Sequence, residues 1–586
     1  MHPLWAAVGC FGLYAVGYGV YARHLARRVF RLDAARPTPA HTLKDDIDYV
    51  PTNRWVLFGH HYASITGLAP MLGPAVAVIW GWVPAMLWVV LGAVFVGCVH
   101  DFSALVVSMR AKGQSIGKVA EGVIGPRAKG LFLALIFFGI ALAMGVFVYV
   151  IAVLFQAGED FDPAHLAAAK TSFPSAVLPS GGLMILAMIM GYLLYRRGLP
   201  LAPLAGVGFV LLLGMVWLGT RYPTLGMDRS AWPGQRGWTW ILLGYGYLAS
   251  VLPVWSLLQA RDFLNSLLLY LGLVAAYAGF FVLGPSFAAP AVHLHPEGAP
   301  SLFPFVFIVI ACGAASGFHS LVSSGTTAKQ IDKETDARGI GYGGMIGESL
   351  LGLLAVLACT AGFETPGEWT QAYADWATIQ AGLAAKLGSF IHGSSRFIGA
   401  LGVGHDLAAA FIAVVVVSFA LTTLDSATRL LRFNVSEIGA SLRFGFLENR
   451  FVATAVATAA IAFFAFYKIP DAAKGTVRPA GLVLWTLFGT TNQLLAGLAL
   501  LVATLYLRQR GRNPWLTGVP TVFMLVSTFT ALVENLSSFA RQGQYLLLAV
   551  GTALLVVALG IVVEGVRAFL RGTRYETEAV VFVTES

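Results

Sequence analysis

The sequence predicts an all-α, polytopic membrane protein with about fifteen transmembrane helices. Three observations carry that reading. Of the 586 residues, 57% are hydrophobic and 11% charged, and the mean hydropathy is +0.75. Soluble domains carry about 25% charged residues, so this chain cannot cover itself with polar surface. Apolar runs of about 20 residues, the length that crosses a bilayer as a helix, recur along the chain. Basic residues sort unevenly between alternate connections.

The first apolar run, 3–22, has no basic stretch before it and is followed by Arg23, Arg27, Arg28 and Arg31. It reads as a retained span with its N-terminus outside, not a cleaved signal. Further spans are expected near 55–80, 84–109, 129–155, 179–195, 199–220, 237–260, 263–284, 302–327 and 340–363. The rest fall near 406–432, 450–467, 480–506, 516–536 and 543–569. With this topology Lys170, Arg221, Arg229, Arg236, Lys386, Arg396, Lys468, Lys474, Arg478 and Arg541 fall outside. The other 28 of the 38 basic residues fall inside. Such a skew puts the C-terminus in the cytoplasm. The net charge of +9 therefore speaks of topology, not of nucleic acid. Cys10, Cys98, Cys312 and Cys359 lie inside apolar runs and read as small core hydrophobes. Of the longer outer connections, 364–405 is expected to hold a surface helix near Trp369–Leu387.

Two spans look interrupted. The second contains Gly59, Gly67, Pro70, Gly73 and Pro74; the seventh contains Gly244, Gly246, Ser250 and Pro253. Paired interrupted spans in two halves point to a transporter binding site. Their separation of five spans is odd, so the second set would be inverted against the first. The expected division is 1–50, an additional span and basic loop; 51–235 and 236–440, the two repeats; and 441–586, four further spans and a tail.

Polar groups inside apolar spans are costly and mark function. In the second span Gly59, His60, His61, Ser64 and Thr66 combine donors with a breakable backbone. A half-helix N-terminus there would favour an anion. Together with Ser250 and His319 they are the expected solute-binding residues. The ninth span ends in Ser323-Ser324-Gly325-Thr326-Thr327, hard oxygens suited to Na⁺, with Ser323 and Thr327 the expected ligands. Asp101, His319, Glu348 and Asp425, by residue count at one depth, are the groups able to relay H⁺. The coupling ion is thus H⁺ or Na⁺. Arg261-Asp262 reads as an interfacial anchor, and Asn492 and Gln493 as packing amides. No HExxH, GxxxxGK[ST] or GxSxG motif occurs, so neither a catalytic residue nor a cofactor is expected.

Six blocks carry a family resemblance: Gly59-His60-His61 through Pro74, His100-Asp101-Phe102 to Gln114, and Leu248 through Trp255. The others are Ala311-Cys312-Gly313 through Gly343, Phe419 to Asp425, and Leu487-Phe488-Gly489 to Leu495. Over about residues 50–505 the chain resembles the carbon starvation protein A family of bacterial inner-membrane transporters. The resemblance implies an ion-coupled importer of small solutes under carbon starvation, with peptides the usual substrate and pyruvate with proton symport in some members. It also implies a LeuT-like core of five plus five inverted spans, with an ion site between spans 2 and 9 near Ser323, Ser324 and Thr327. A membrane sensor of carbon status and a lipid-directed enzyme are the competing readings. The chain offers the first no output domain and the second no paired catalytic motif.

Overall fold

The computed structural model describes residues 2–157, 172–380, 383–471 and 476–571. It is all-helical apart from a two-stranded hairpin, β1 (Lys468–Asp471) with β2 (Thr476–Pro479). In chain order the first helices are α1 (Pro3–Val29), α2 (Arg54–Ile65), α3 (Ala69–Trp80), α4 (Trp82–Arg110), α5 (Ile116–Val123) and α6 (Pro126–Phe155). Next come α7 (Pro174–Tyr195), α8 (Leu201–Arg221), α9 (Gln235–Val251) and α10 (Leu258–Leu283). A broken segment follows as α11 (Leu302–Val309), α12 (Ala311–Ala314) and α13 (Gly317–Gly325), then α14 (Glu334–Ala361). After α15 (Pro366–Ala372), α16 (Trp376–Gln380) and α17 (Leu383–Gly399) come α18 (His405–Leu442) and α19 (Arg450–Phe466). The last three are α20 (Ala480–Gln509), α21 (Trp515–Arg541) and α22 (Tyr545–Arg571).

Among the described residues, eleven helices are long and apolar enough to cross a membrane, twelve if α2 and α3 form one bent span. The expected fifteen is not reached. The helices α9 and α19 have 17 residues each, and the segment from Leu302 to Gly325 is broken into three pieces. The C-terminal tail, and with it the expected position of Ser586, lies outside the described residues.

Two breaks define the centre. The helices α2 and α3 meet at an angle of 46°. Thr66 leaves helical geometry (φ −82°, ψ 90°), and Pro70 sits in the first turn of α3, where its missing N–H is harmless. A Cβ on Gly67 would stand 2.7 Å from Thr423 Oγ1, so this break packs directly on α18. In the second break Ala315 and Ser316 are extended. Gly317 then opens α13 so close to α20 that a Cβ would stand 2.3 Å from both the Asn492 carbonyl oxygen and Leu495 Cβ. The break expected at Gly246–Pro253 is not inside one helix. Instead α9 ends at Val251, residues 252–257 form a turn, and α10 begins at Leu258.

The packing is reciprocal. The half-helix α3 lies on α14 as the half-helix α13 lies on α4. Likewise α6 packs on α9 as α18 packs on α19, and α2 packs on α10 as α13 packs on α20. One group of helices, α2, α3, α4, α12, α13 and α14, is packed mutually; a second, α6, α9, α18 and α19, is packed mutually; and α10 and α20 touch both. The helices α7 and α8 pair with each other as a hairpin. Only 17% of the apolar window of α8 is buried, whereas the window in α20 is wholly buried. The hairpin lies at the periphery of the bundle and α20 is central.

Candidate functional site

The two breaks meet at a small apolar chamber of about 30 Å³. Gly67 and Ala69 come from the first break, Cys312 and Phe318 from the second, and Phe147, Thr423 and Asn492 from α6, α18 and α20. The volume is room for a water or two. Ala69, Cys312, Phe488 and Asn492 also line a vestibule of about 2020 Å³, so the chamber is its floor. The vestibule carries Arg236, Lys468, Arg478 and Arg541, with Glu534 the one acid among its described lining residues. At the chamber, α3 and α13 both present their N-termini, the positive ends of their dipoles. Asn492 organises the second: its Oδ1 accepts from Phe318 N at 3.0 Å and from Ser316 Oγ at 3.2 Å. Its Nδ2 donates to Ser316 Oγ at 3.0 Å and Cys312 Sγ at 3.2 Å. Thr423 Oγ1, buried and lining the chamber, has no hydrogen-bond partner among the described residues.

The opposite face is closed by ion pairs. Asp48, in the connection after α1, meets Arg429 at 2.8 Å and Arg432 at 3.3 Å. Arg429 also donates to the carbonyls of Ala249 and Leu252 at the end of α9. Glu334 takes Arg36 at 2.8 Å and Arg110 at 2.6 Å.

Two buried ionisable networks flank α2. In the first, His319 Nδ1 lies 3.0 Å from Asp101 Oδ2, His100 Nδ1 lies 2.8 Å from Asp101 Oδ1, and His319 Nε2 lies 3.0 Å from Glu348 Oε2. The second approach has ion-pair distance but not hydrogen-bond geometry, and neither Glu348 oxygen has a hydrogen-bond partner among the described residues. His61 Nδ1 meets Thr327 Oγ1 at 2.9 Å beside this set. In the second network His60 Nδ1 meets Asp262 Oδ2 at 2.6 Å, and Asp262 Oδ1 accepts from Arg261 at 3.0 Å. Arg261 pairs in turn with Asp425 and donates to Tyr245, whose hydroxyl donates to Asp425.

The structure thus brings Asp101, His319 and Glu348 together and separates Asp425 from them. The expected single cavity of Gly59–Thr66, Ser250 and the Ser323 region does not form. Gly59 packs against Ser266 and Phe263, Ser64 bonds Ser426 at 2.9 Å, and Ser250 faces Thr454 at 3.4 Å. Thr66, His60, His61 and His319 are fully buried and line neither cavity. The expected Na⁺ ligands diverge as well. Thr327 is taken by His61, Ser324 accepts from Ile116 N, and Thr326 bonds back to Val322 O. Ser323 Oγ has no partner among the described residues. Sequence reasoning missed Arg261 as a buried charge and Asn492 as a chamber residue. The signal for Asn492 was present: an amide in a hydroxyl-flanked apolar span.

Two interrupted helices meeting at a chamber below a vestibule, with buried ionisable groups alongside, are the parts of a secondary transporter. The model of the family described as carbon starvation protein CstA matches residues 2–385 and 360–531, and the chain belongs to that family. It is 31% identical to the peptide transporter CstA of Campylobacter jejuni, over 92% of this chain and 80% of that protein. It is 32% identical to the peptide transporter CstA of Escherichia coli K12, over 91% and 81%. Identity is also 32% with the pyruvate/proton symporter BtsT of Escherichia coli K12, over 92% and 82%. Among solved structures, MhsT in complex with L-phenylalanine aligns over 87% of this chain and 99% of its own at 11% identity and a TM-score of 0.41. The protein is a membrane transporter, not an enzyme.

Proposed function

We propose that the protein imports short peptides in symport with protons, seating the solute carboxylate between the two half-helix N-termini. The observation that carries this reading is the meeting of α3 and α13 at the chamber, with Asn492 and Thr423 in its wall. Two positive dipole ends favour an anionic group there. The body of a peptide extends into the vestibule, and the names of the CstA relatives support peptides as the class. A second reading, a small carboxylate such as pyruvate, is favoured by the pyruvate/proton symporter among the relatives.

Protons are preferred to sodium because both buried networks pair imidazoles with carboxylates, whereas the hydroxyls of Ser324, Thr326 and Thr327 are committed elsewhere. The reciprocal packing supports two five-span units, 54–155 with 235–283 and 302–361 with 405–509, related by inversion. The basic residues expected outside include those of the vestibule, so the vestibule opens outward from a bacterial inner membrane and the Asp48 and Glu334 clusters close the cytoplasmic side.

Purified protein in proteoliposomes tests this. Labelled dialanine and labelled pyruvate are offered with an imposed proton or sodium gradient in turn. Accumulation driven by the proton gradient and unmoved by sodium is expected. Sodium-driven accumulation, or none for either solute, removes the reading.

A further inference from the structure

The two ionisable networks differ in what they connect. Asp101, His319 and Glu348 come from α4, α13 and α14, all within one mutually packed group of helices. Relative movement of the two groups leaves their contacts intact. The other network crosses the boundary. His60 sits on α2 in the first group, Asp262 and Arg261 on the intermediate α10, and Asp425 and Tyr245 on α18 and α9 of the second. Transporters built from such repeats expose a site alternately by moving one group against the other. A contact that spans the boundary is made or broken in that movement.

Carboxylates outnumber guanidiniums among the groups in direct contact in this network. One guanidinium faces two carboxylates, and His60, Asp262 and Asp425 are fully buried while Arg261 is 2% exposed. A buried charge without compensation is strongly unfavourable. His60 stands directly against Asp262, where a proton would add a second positive charge to the set. Its other neighbours are the Gln330 carboxamide, with Nε2 to Nε2 at 3.5 Å, and His61 on its own helix. Arg429 on α18 adds its field at Asp262, and Tyr245 reaches the set through Arg261 and Asp425. A carboxamide can face imidazole as donor or, turned over, imidazolium as acceptor, so both protonation states of His60 have a partner.

We propose that the His60–Asp262 pair is the protonation-dependent contact through which proton movement is coupled to solute movement. The imidazolium holds α2 against α10. Release of the proton from His60 leaves Asp262 to Arg261 and frees α2 to move with its group. The Asp101–His319–Glu348 set holds charge inside the moving group and does not read its position. This inference rests on the proton-coupled reading above.

The test uses full-length protein in proteoliposomes with labelled pyruvate and labelled dialanine as probes. His60→Gln is expected to bring accumulation under a one-unit pH gradient to the level without a gradient, a loss of about tenfold for one proton. Solute counterflow without a gradient persists. The double variant His60→Gln, Asp262→Asn removes one positive and one negative charge together and leaves Arg261 to Asp425. If His60→Gln loses both activities, the double variant decides. Counterflow without gradient-driven accumulation supports the proposal; recovery of both activities, or of neither, overturns it. A wild-type protein indifferent to the proton gradient defeats the proton-coupled reading itself. A proton-driven wild type with an equally proton-driven His60→Gln overturns only this inference.

Discussion

Asp425→Asn changes one atom pair and one charge in the network that crosses the helix groups. With asparagine at 425, Arg261 and Asp262 balance each other. The variant is therefore expected to move solute with no proton required. A pH gradient of one unit is worth about 1.4 kcal/mol per proton, so one proton per solute sustains about tenfold accumulation in the wild type. In Asp425→Asn the ratio should fall to about one, while exchange of labelled for unlabelled solute continues. Breaking a buried ion pair costs about 3–5 kcal/mol when it strands a charge. Arg261 keeps Asp262 at 3.0 Å, so no charge is stranded and the loss of stability should fall below that range. The assay is uptake into proteoliposomes with the membrane potential clamped, beside a thermal melt in detergent. Full tenfold accumulation by Asp425→Asn would refute the charge argument. So would sodium-driven uptake that is lost in Ser323→Ala or Thr327→Ala.

Gly317→Ala places a Cβ 2.3 Å from two atoms of α20, so helices must separate by about 1 Å at an expected cost of about 1–3 kcal/mol; a melt unchanged from the wild type would show that the approach is looser. Asn492→Ala removes hydrogen bonds to Ser316, Phe318 N and Cys312, about 2 kcal/mol at roughly 0.6 per bond between membrane helices; it should raise KM for solute more than it lowers kcat, and the reverse split would make Asn492 a packing residue only. At Asp48 burial raises the carboxyl pKa, but Arg429, Arg432 and Lys329 outweigh it and the net value is lowered from 3.8. A lowered folded value stabilises above the unfolded one and is lost as pH falls through it, so the wild type should lose stability below about pH 4 by a component of about 1–3 kcal/mol that Asp48→Asn lacks; parallel melting profiles would contradict this. Neutralising Arg236, Lys468 and Arg541 of the vestibule should slow capture of an anionic solute at low ionic strength and have little effect above about 0.15 M salt; a salt-independent defect would point to direct binding.

Much of the fold was legible because hydropathy acts over a length set by the bilayer. Every expected apolar run holds a helix or a broken helix. The first break was legible from Gly67 and Pro70, residues that end a helix on their own. The second was not. Ala315, Ser316 and Gly317 carry no proline, and the chain leaves the helix there because α20 comes within contact of Gly317. Pro253, the proline that marks the seventh apolar run, sits in the turn joining α9 to α10.

The misplaced turn also explains the misreading of Arg261. With the seventh span set at 237–260, Arg261-Asp262 stood at a membrane surface and looked like an anchor. The turn at 252–257 moves both residues into the first turns of α10, where they are buried against His60 and Asp425. Hydropathy cannot see this, because a paired charge counts against a span as heavily as a solvated one. The vicinal histidines follow from helix geometry alone. At 3.6 residues per turn, neighbours point about 100° apart. His60 therefore reaches Asp262 on α10 while His61 reaches Thr327 beside the Asp101–His319–Glu348 set. One helix wedged between two ionisable networks needs a titratable residue on each side. A dipeptide of histidines, unpromising as a shared metal site, is the shortest sequence that provides them.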